Sequence, residues 1–424
     1  METITYFFSN ALAMKVLLGV VLISATAGIV GTFSFLQKKT LVGDAISHSV
    51  FPGVCIGFMI SGTKDPLYLM VGALFFGWFS VLLIDFLSKK TKMSEDSAIA
   101  FVSTFFFALG AVFLSVISKN SNGNQSGLKD FLFGKAATMT LDDIEVFVYI
   151  SLLISVIVIL YFRSFQLISF NRDFAISKGF KVKRIEFLLS TITVLTVSIG
   201  IQSVGIVLTS ALLIAPASAA RYWTNNLVKM LIIAALIGVV SGATGVLISC
   251  SQENMPTGPW IVFVLFTITL LTLLFSPKKG WFSIQKVQRI NKRKINQENV
   301  LKVFYQLKEK GIQNVNYKVF LEKRQMESAD LMRTIQQLQG NGLIHKKTNH
   351  FELTELGLIE SARIVRLHRL WELYLTKRMN FKEDHIHGTA ETIEHLITPE
   401  MEIELMKELD YPKEDPHNKN IPYL

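Results

Sequence analysis

Nine apolar stretches, each close to the length that crosses a lipid bilayer, constrain this chain more than any other feature. They run at about 12–36, 41–61, 66–88, 97–117, 145–162, 186–200, 203–222, 228–250 and 259–276. A membrane-crossing helix needs about 20 residues of this character, so residues 1–281 read as a polytopic membrane body. Gly200-Ile201-Gln202-Ser203 separates the sixth stretch from the seventh. Half of the 424 residues are apolar and 18% are charged, against roughly 25% charged in an average soluble domain. A wholly soluble protein and a disordered chain are both excluded. Charge divides unevenly: residues 1–281 hold 20 Lys/Arg and 13 Asp/Glu, whereas the much shorter 282–424 holds 23 and 20. Seven of the eight histidines lie at or beyond His345, and only His48 belongs to the apolar body. Cys55 and Cys250 sit in apolar runs and read as small buried hydrophobes, not as a disulfide framework.

The loops alternate in charge. Lys38-Lys39, Lys89-Lys90 with Lys92, Arg163 to Arg184, Arg221 and Lys278-Lys279 fall on one side. Lys64-Asp65, the Asn/Gly/Ser-rich 119–130 and Ser251-Gln252-Glu253-Asn254 fall on the other. The positive-inside rule assigns the first set to the cytoplasm, which puts the N-terminus outside and the C-terminal tail in the cytoplasm. The first stretch is too long for a cleavable signal peptide and has no basic flank before it. Pro52-Gly53 and Pro216 inside stretches fit a bundle whose interrupted helices line a cavity.

Asp44 and His48, in Gly43-Asp44-Ala45-Ile46-Ser47-His48-Ser49, are a carboxylate–imidazole pair at the start of the second stretch. Four residues apart on a helix, they share a face, about 5–6 Å apart at Cβ. A charge in a membrane helix costs roughly 2.5–3.5 kcal/mol on insertion scales, so such groups face a cavity or a partner. One carboxylate with one imidazole is a half-site for Mn, Fe or Zn, and a symmetric second subunit would bring the other half. Two plainer roles stay open: Asp44 as a helix N-cap, and His48 as an interior histidine with its hydrogen bonds met.

Gly43-Asp44-x-x-Ser47-His48-x-x-x-Pro52-Gly53 resembles the signature of the ABC-3 class of manganese/zinc/iron permeases. Val204-Gly205-Ile206 leading to Leu213-Ile214-x-Pro216-Ala217, and Pro256-Thr257-Gly258-Pro259, are similar to that class as well. The resemblance covers about residues 8–280. It implies that Asp44 and His48 line the metal path and that the permease is a homo- or heterodimer in a bacterial cytoplasmic (inner) membrane. It also implies an extracytoplasmic metal-binding protein that delivers the ion and a cytoplasmic ABC ATPase subunit. The chain has no GxxxxGK[ST] loop, so the expectation is a transport subunit with ATP hydrolysis elsewhere, not an enzyme. Arg172 and Asp173 through Gly179, in the most basic loop, resemble the coupling helix that docks on the ATPase; an ordinary positive-inside loop is the other reading.

Beyond a basic juxtamembrane linker at 282–294, expected at the lipid surface, helices are expected at about 297–310, 315–323 and 327–340. Leu343 to Lys346 and His350 to Leu353 then form a two-stranded wing, completing a winged-helix domain over 295–353. Duplex DNA is one partner for such a fold, with Arg333 and Thr334 at a groove and Lys346 and Lys347 on phosphates; a protein contact is the other. Over 354–424 a long helix to Met379 and another at about 385–396 form a helical dimerisation and metal-binding domain. His387, Glu391 and His395 recur every four residues beside Glu394, and His368 and Glu372 form a further pair. These suit Mn, Fe or Zn; a solvated charged face is the alternative.

With the wing, His368-Arg369-Leu370-x-Glu372, Ala390-Glu391-x-x-Glu394-His395 and Asp415-Pro416-His417-x-x-x-Ile421-Pro422 resemble the diphtheria toxin repressor/manganese transport regulator family. The resemblance implies sensor-metal ligands at His368, Glu391, Glu394 and His395, ancillary ligands at Glu372 and His387, and operator DNA as a partner. Where that family places further ligands on the first helix, this chain has Asn299 and Lys302, and a protonated lysine cannot ligate. The expected whole is an all-α polytopic membrane permease of ABC-3 type with a cytoplasmic repressor-like tail; such fusions resemble those of chlamydial metal-uptake systems. Its expected work is ATP-driven import of divalent Mn, Fe or Zn, with no organic cofactor. The alternatives are a membrane-tethered or proteolytically released metal-dependent repressor and a secondary metal transporter.

Overall fold

A backbone in hydrocarbon has no water to bond, so each apolar stretch must satisfy its own N–H and C=O groups as a helix. The structure is a computed structural model that describes residues 11–63, 65–119, 141–251, 255–312, 315–316, 319–320, 326–347, 350–379 and 397–423. The nine expected stretches are the helices α1 (Ala11–Leu36), α2 (Thr40–Ser61), α3 (Pro66–Lys90), α4 (Glu95–Lys119), α5 (Leu141–Leu160), α8 (Val182–Val204), α9 (Ile206–Trp223), α10 (Leu227–Ser249) and α11 (Thr257–Phe275). Between α5 and α8 lie two short helices, α6 (Phe162–Phe170) and α7 (Arg172–Ser177). Among the described residues, all nine except α9 are long and apolar enough to cross a membrane. The chain divides into two units, Met1–Ile284 and Gln285–Leu424.

Helix association in lipid lacks a hydrophobic drive and relies on close packing at small residues. Glycines supply it here. A Cβ on Gly53 of α2 would meet the Gly72 carbonyl oxygen of α3 at 2.1 Å, and one on Gly72 would meet the Gly53 oxygen at 2.1 Å. A Cβ on Gly31 of α1 would meet the Leu213 carbonyl oxygen of α9 at 1.8 Å. Hydroxyls inside the bundle bond back to their own helices: Thr32 donates to the Gly28 oxygen, Thr196 to the Ile192 oxygen and Ser198 to the Val194 oxygen. Phe75, Phe79, Leu82 and Phe86 of α3 face outward, as a lipid-facing surface requires. Cys55 is buried as expected, whereas Cys250 is exposed.

The break between α8 and α9 falls at Gly205, not at 200–203. Gly205 has φ +86°, a conformation open to glycine and costly for other residues. Its N–H reaches the Ile201 oxygen at 3.2 Å and its own oxygen accepts from the Thr209 N–H at 3.1 Å. One residue thus ends one helix and starts the next.

In the second unit, the stretch expected as a linker is helical: α12 runs unbroken over Trp281–Glu309, with no Pro or Gly to interrupt it. The expected helix at 315–323 lies mostly outside the described residues. It is followed by α13 (Ser328–Gly340), β1 (Ile344–Lys347), β2 (His350–Leu353), α14 (Glu355–Met379) and α15 (Pro399–Glu408). The strands pair antiparallel with Ile344 opposite Leu353 and Lys347 opposite His350, which is the expected wing. Val300, Phe304 and Leu307 of α12, Leu331, Ile335 and Leu338 of α13, Ile344 and Ile364 form its core. A smaller cluster joins Leu370 and Leu373 to Leu405, Leu409 and Ile421.

Three arginines on one face of α14 hold that second cluster. Arg363 and Arg366 both bind Glu402 of α15, at 3.0 and 2.6 Å. Arg369 binds Glu309 at 2.7 Å and donates to the Asn420 carbonyl. Burial opposes the Arg363 charge, but the hydrogen bond and charge of Glu402 outweigh it and raise the guanidinium above its usual value.

Gly53→Leu or Gly72→Leu is expected to cost about 1–3 kcal/mol or more through overpacking, read as a lower unfolding temperature of the detergent-solubilised protein. Gly340→Ala, where nothing lies within 4 Å, should leave it unchanged. Glu402→Ala removes the buried carboxylate that two half-buried guanidinium groups share, a loss of about 3 kcal/mol. Amide exchange in α14 and α15 should then quicken roughly a hundredfold.

Candidate functional site

Asp44 and His48 both lie on α2. That helix begins at Thr40, with Lys39 as the residue before it, so Asp44 is internal to the helix and caps nothing. His48 Nε2 stands 3.9 Å from Asp44 Oδ1, beyond hydrogen-bond reach. The other ring nitrogen, Nδ1, is buried without a hydrogen-bond partner. Phe107 of α4 packs edge-on against the ring at 5.3 Å. Buried ring nitrogens are normally engaged, and this one has no partner. Pro52, one turn on, has no N–H to give the His48 carbonyl, so a backbone oxygen beside the imidazole lacks its helical donor. A carboxylate and an imidazole thus stand one turn apart on α2, both partly exposed. Among the described residues, no group of three His, Cys, Asp or Glu side chains that could hold a metal ion comes together.

Arg172 and Asp173 begin α7. Asn171 caps it, its side chain accepting from the Phe174 N–H at 2.9 Å. Arg172 Nε binds Glu186 Oε1 of α8 at 2.9 Å, and that hydrogen bond and charge raise the guanidinium further above its usual value. Ala175 is buried, while Phe174, Ile176 and Phe180 are exposed beside Lys178 and Lys181. Gly179 turns the chain at φ +81°. The segment therefore carries an apolar surface with a basic rim, on a short helix pinned to the bundle. Nothing in loop charge alone pointed to these exposed aromatics, although the Asn171 cap is legible in the sequence.

In the tail, Arg333 of α13 is exposed, but Thr334 is not. Thr334 is buried and its hydroxyl donates to the Asp330 oxygen at 2.7 Å, so the expectation that it faces a groove is corrected. Lys346 is exposed, and Lys347 is held by Glu352 at 2.7 Å. The hydrogen bond from Lys347, with help from His350, pulls the Glu352 carboxyl below its usual value. His387, Glu391, Glu394 and His395 lie outside the described residues.

His368 and Glu372 of α14 are described and deeply buried. His368 Nε2 lies 3.1 Å from Glu372 Oε1, and His368 Nδ1 lies 2.9 Å from Lys302 Nζ of α12. Both ring nitrogens lie within contact distance of a side chain, one of them the Lys302 amine. The sequence marked Lys302 as a departure from the ligand pattern; its partner became visible only in the fold.

Residues 9–276 match the ABC 3 transport family, and residues 354–423 match the iron dependent repressor, metal binding and dimerisation domain. The manganese transport system membrane protein MntC of Bacillus subtilis is 34% identical over 366 residues, 86% of this chain and 84% of that protein. A probable metal transport system membrane protein of Chlamydia trachomatis is 29% identical over 445 residues, 98% of this chain and 97% of its own length. Among solved structures, PsaBC from Streptococcus pneumoniae in complex with Fab gives a TM-score of 0.61 at 27% identity, over 67% of this chain and 99% of that one. The apolar helical body, the Asp44–His48 pair on α2 and these matches lead to one conclusion: the chain belongs to the ABC 3 transport family, as a multi-pass membrane protein with a repressor-type domain at its C-terminal end.

Proposed function

We propose that this chain is the membrane subunit of an ATP-driven importer for a divalent transition metal, and that Asp44 and His48 bind the cargo in passage. The observation that carries the reading is the imidazole of His48, with one nitrogen orphaned and the other facing a carboxylate it does not touch. Such a pair is costly in an apolar bundle unless a ligand repays it. The roles of the relatives, manganese transport for MntC and metal transport for the chlamydial protein, agree with it.

On this reading an extracytoplasmic metal-binding protein delivers the ion to a pair of permease subunits. Each subunit gives one carboxylate and one imidazole, and a second copy of this chain or a sister subunit completes four donors. The carboxylate supplies charge and the imidazole a nitrogen lone pair, a set that admits Mn, Fe and Zn alike. ATP is hydrolysed in a separate cytoplasmic subunit that docks on α7, where Phe174, Ile176 and Phe180 give apolar contact and Arg172 and Asp173 fix the helix. The Lys/Arg-rich loops face the cytoplasm across a bacterial inner membrane, with the N-terminus outside and the tail inside. The tail is a regulator of repressor type, with Arg333 and Lys346 free to meet duplex DNA while tethered or after proteolysis at 286–294.

Asp44→Asn and His48→Ala are each expected to cut manganese uptake by roughly tenfold or more, since loss of even an outer-shell partner costs that much, with membrane insertion unchanged. Uptake within twofold of the parent in both variants would end the assignment. Arg172→Glu breaks the contact with Glu186, and Gly179→Val forces a branched residue to φ +81°. Both should abolish co-purification of the ATPase. If the ATPase still binds and metal still enters without need of it, a secondary transporter is the better reading.

A further inference from the structure

A cation already sits on the ligand helix of the tail. Lys302 of α12 is 1% exposed, His368 of α14 is 4% exposed and Glu372 is 2% exposed. The three side chains form a continuous chain: Lys302 Nζ to His368 Nδ1 at 2.9 Å, then His368 Nε2 to Glu372 Oε1 at 3.1 Å. An ammonium group has donors and no acceptor, so toward Nδ1 it donates. The other ring nitrogen, Nε2, faces the Glu372 carboxyl group. The imidazole thus lies between a buried lysine amine and a buried carboxyl group. Burial of either charge alone is costly, and pairing with hydrogen bonds offsets the cost.

The surroundings would otherwise suit a metal. Asn299, one turn before Lys302 on α12, has its Oδ1 atom buried with no hydrogen-bond partner. An imidazole and a carboxyl group thus face each other on α14, with an unpartnered amide oxygen one turn from Lys302 on α12. The group that bars a divalent ion from His368 is the ammonium.

We propose that Lys302 acts as a resident cation in place of a metal: its ammonium joins α12 to α14 through His368, so this joint of the tail closes without metal and His368 is not a metal ligand in this chain. The proposal concerns His368 alone and is independent of cargo binding at Asp44 and His48. It replaces the expectation, drawn from the family resemblance, that His368 belongs to the sensor set. Regulation by metal in this tail would then have to act through other residues or not at all.

The test uses the full-length chain in lipid nanodiscs with Co(II) as probe, each protein compared with its own His368→Gln variant so that metal bound elsewhere cancels. In the parent, His368→Gln should leave the Co(II) spectrum and affinity unchanged within twofold. Lys302→Glu should create a new absorption band that disappears in Lys302→Glu/His368→Gln. In EDTA, amides of α14 should be protected in the parent and exchange at least tenfold faster in Lys302→Met, which keeps most of the apolar stem and loses the charge. A tenfold or greater loss of Co(II) affinity from His368→Gln in the parent would overturn the proposal, and that comparison needs no change at Lys302. Absence of the new band in Lys302→Glu, or unchanged protection in Lys302→Met, would overturn it as well.

Discussion

A polar group placed in hydrocarbon has to find its partner inside the protein, and the membrane unit is organised around that constraint. Backbone groups are closed into helices, and buried hydroxyls such as those of Thr32, Thr196 and Ser198 return to carbonyls one turn earlier. Glycines at 31, 53 and 72 bring backbones into direct contact, which replaces the hydrophobic drive that lipid removes. Ser24, Ser49, Ser151 and Gln202 also have atoms without partners, but each is neutral and costs little next to a charge. His48 differs because its orphaned nitrogen stands on the same helical turn as a carboxylate, above a carbonyl that Pro52 leaves free. The expense is concentrated where a cation would repay it.

The same constraint takes a different form in the tail, where several buried charged side chains are met by groups distant in sequence. Arg363, Arg366 and Arg369 recur at helical spacing along α14 and are met by Glu402, Glu309 and Asp415. Lys302 and Glu372 balance each other across His368. Each of these charges would be a liability alone. Together they lock α12, α14, α15 and the C-terminal turn at Glu414 and Asn420 without a large apolar core.

How much of this was legible in the sequence follows from the range over which each signal acts. The membrane helices were, because twenty apolar residues leave little choice, and so was the Asp44–His48 pair, because a spacing of four needs only a helix. The wing was legible from two short β-prone runs around Lys347-Thr348-Asn349. The break after α8 was not, since Gly200 and Gly205 both offer a stop and only packing selects the one at φ +86°. Thr334 was misplaced because α13 has apolar residues on either side of it, and its inward face is decided by Leu331, Ile335 and Leu338 meeting α12. Helix α15 went unread although Thr398-Pro399 is a start signal, with the Thr398 hydroxyl accepting from the Met401 N–H. Lys302 was recognised as a departure, but its bond to a histidine 66 positions away is a tertiary fact that no local pattern carries.

The central claim is that one carboxylate and one imidazole of α2 hold the transported ion within an otherwise apolar body. The most direct test is an anomalous-scattering map, at the manganese edge, of crystals of the manganese-loaded full-length chain with its transporter partners. The account predicts an anomalous peak within bonding distance of the Asp44 carboxylate and the His48 imidazole. Manganese bound elsewhere in the membrane unit, with none at this pair, would contradict it.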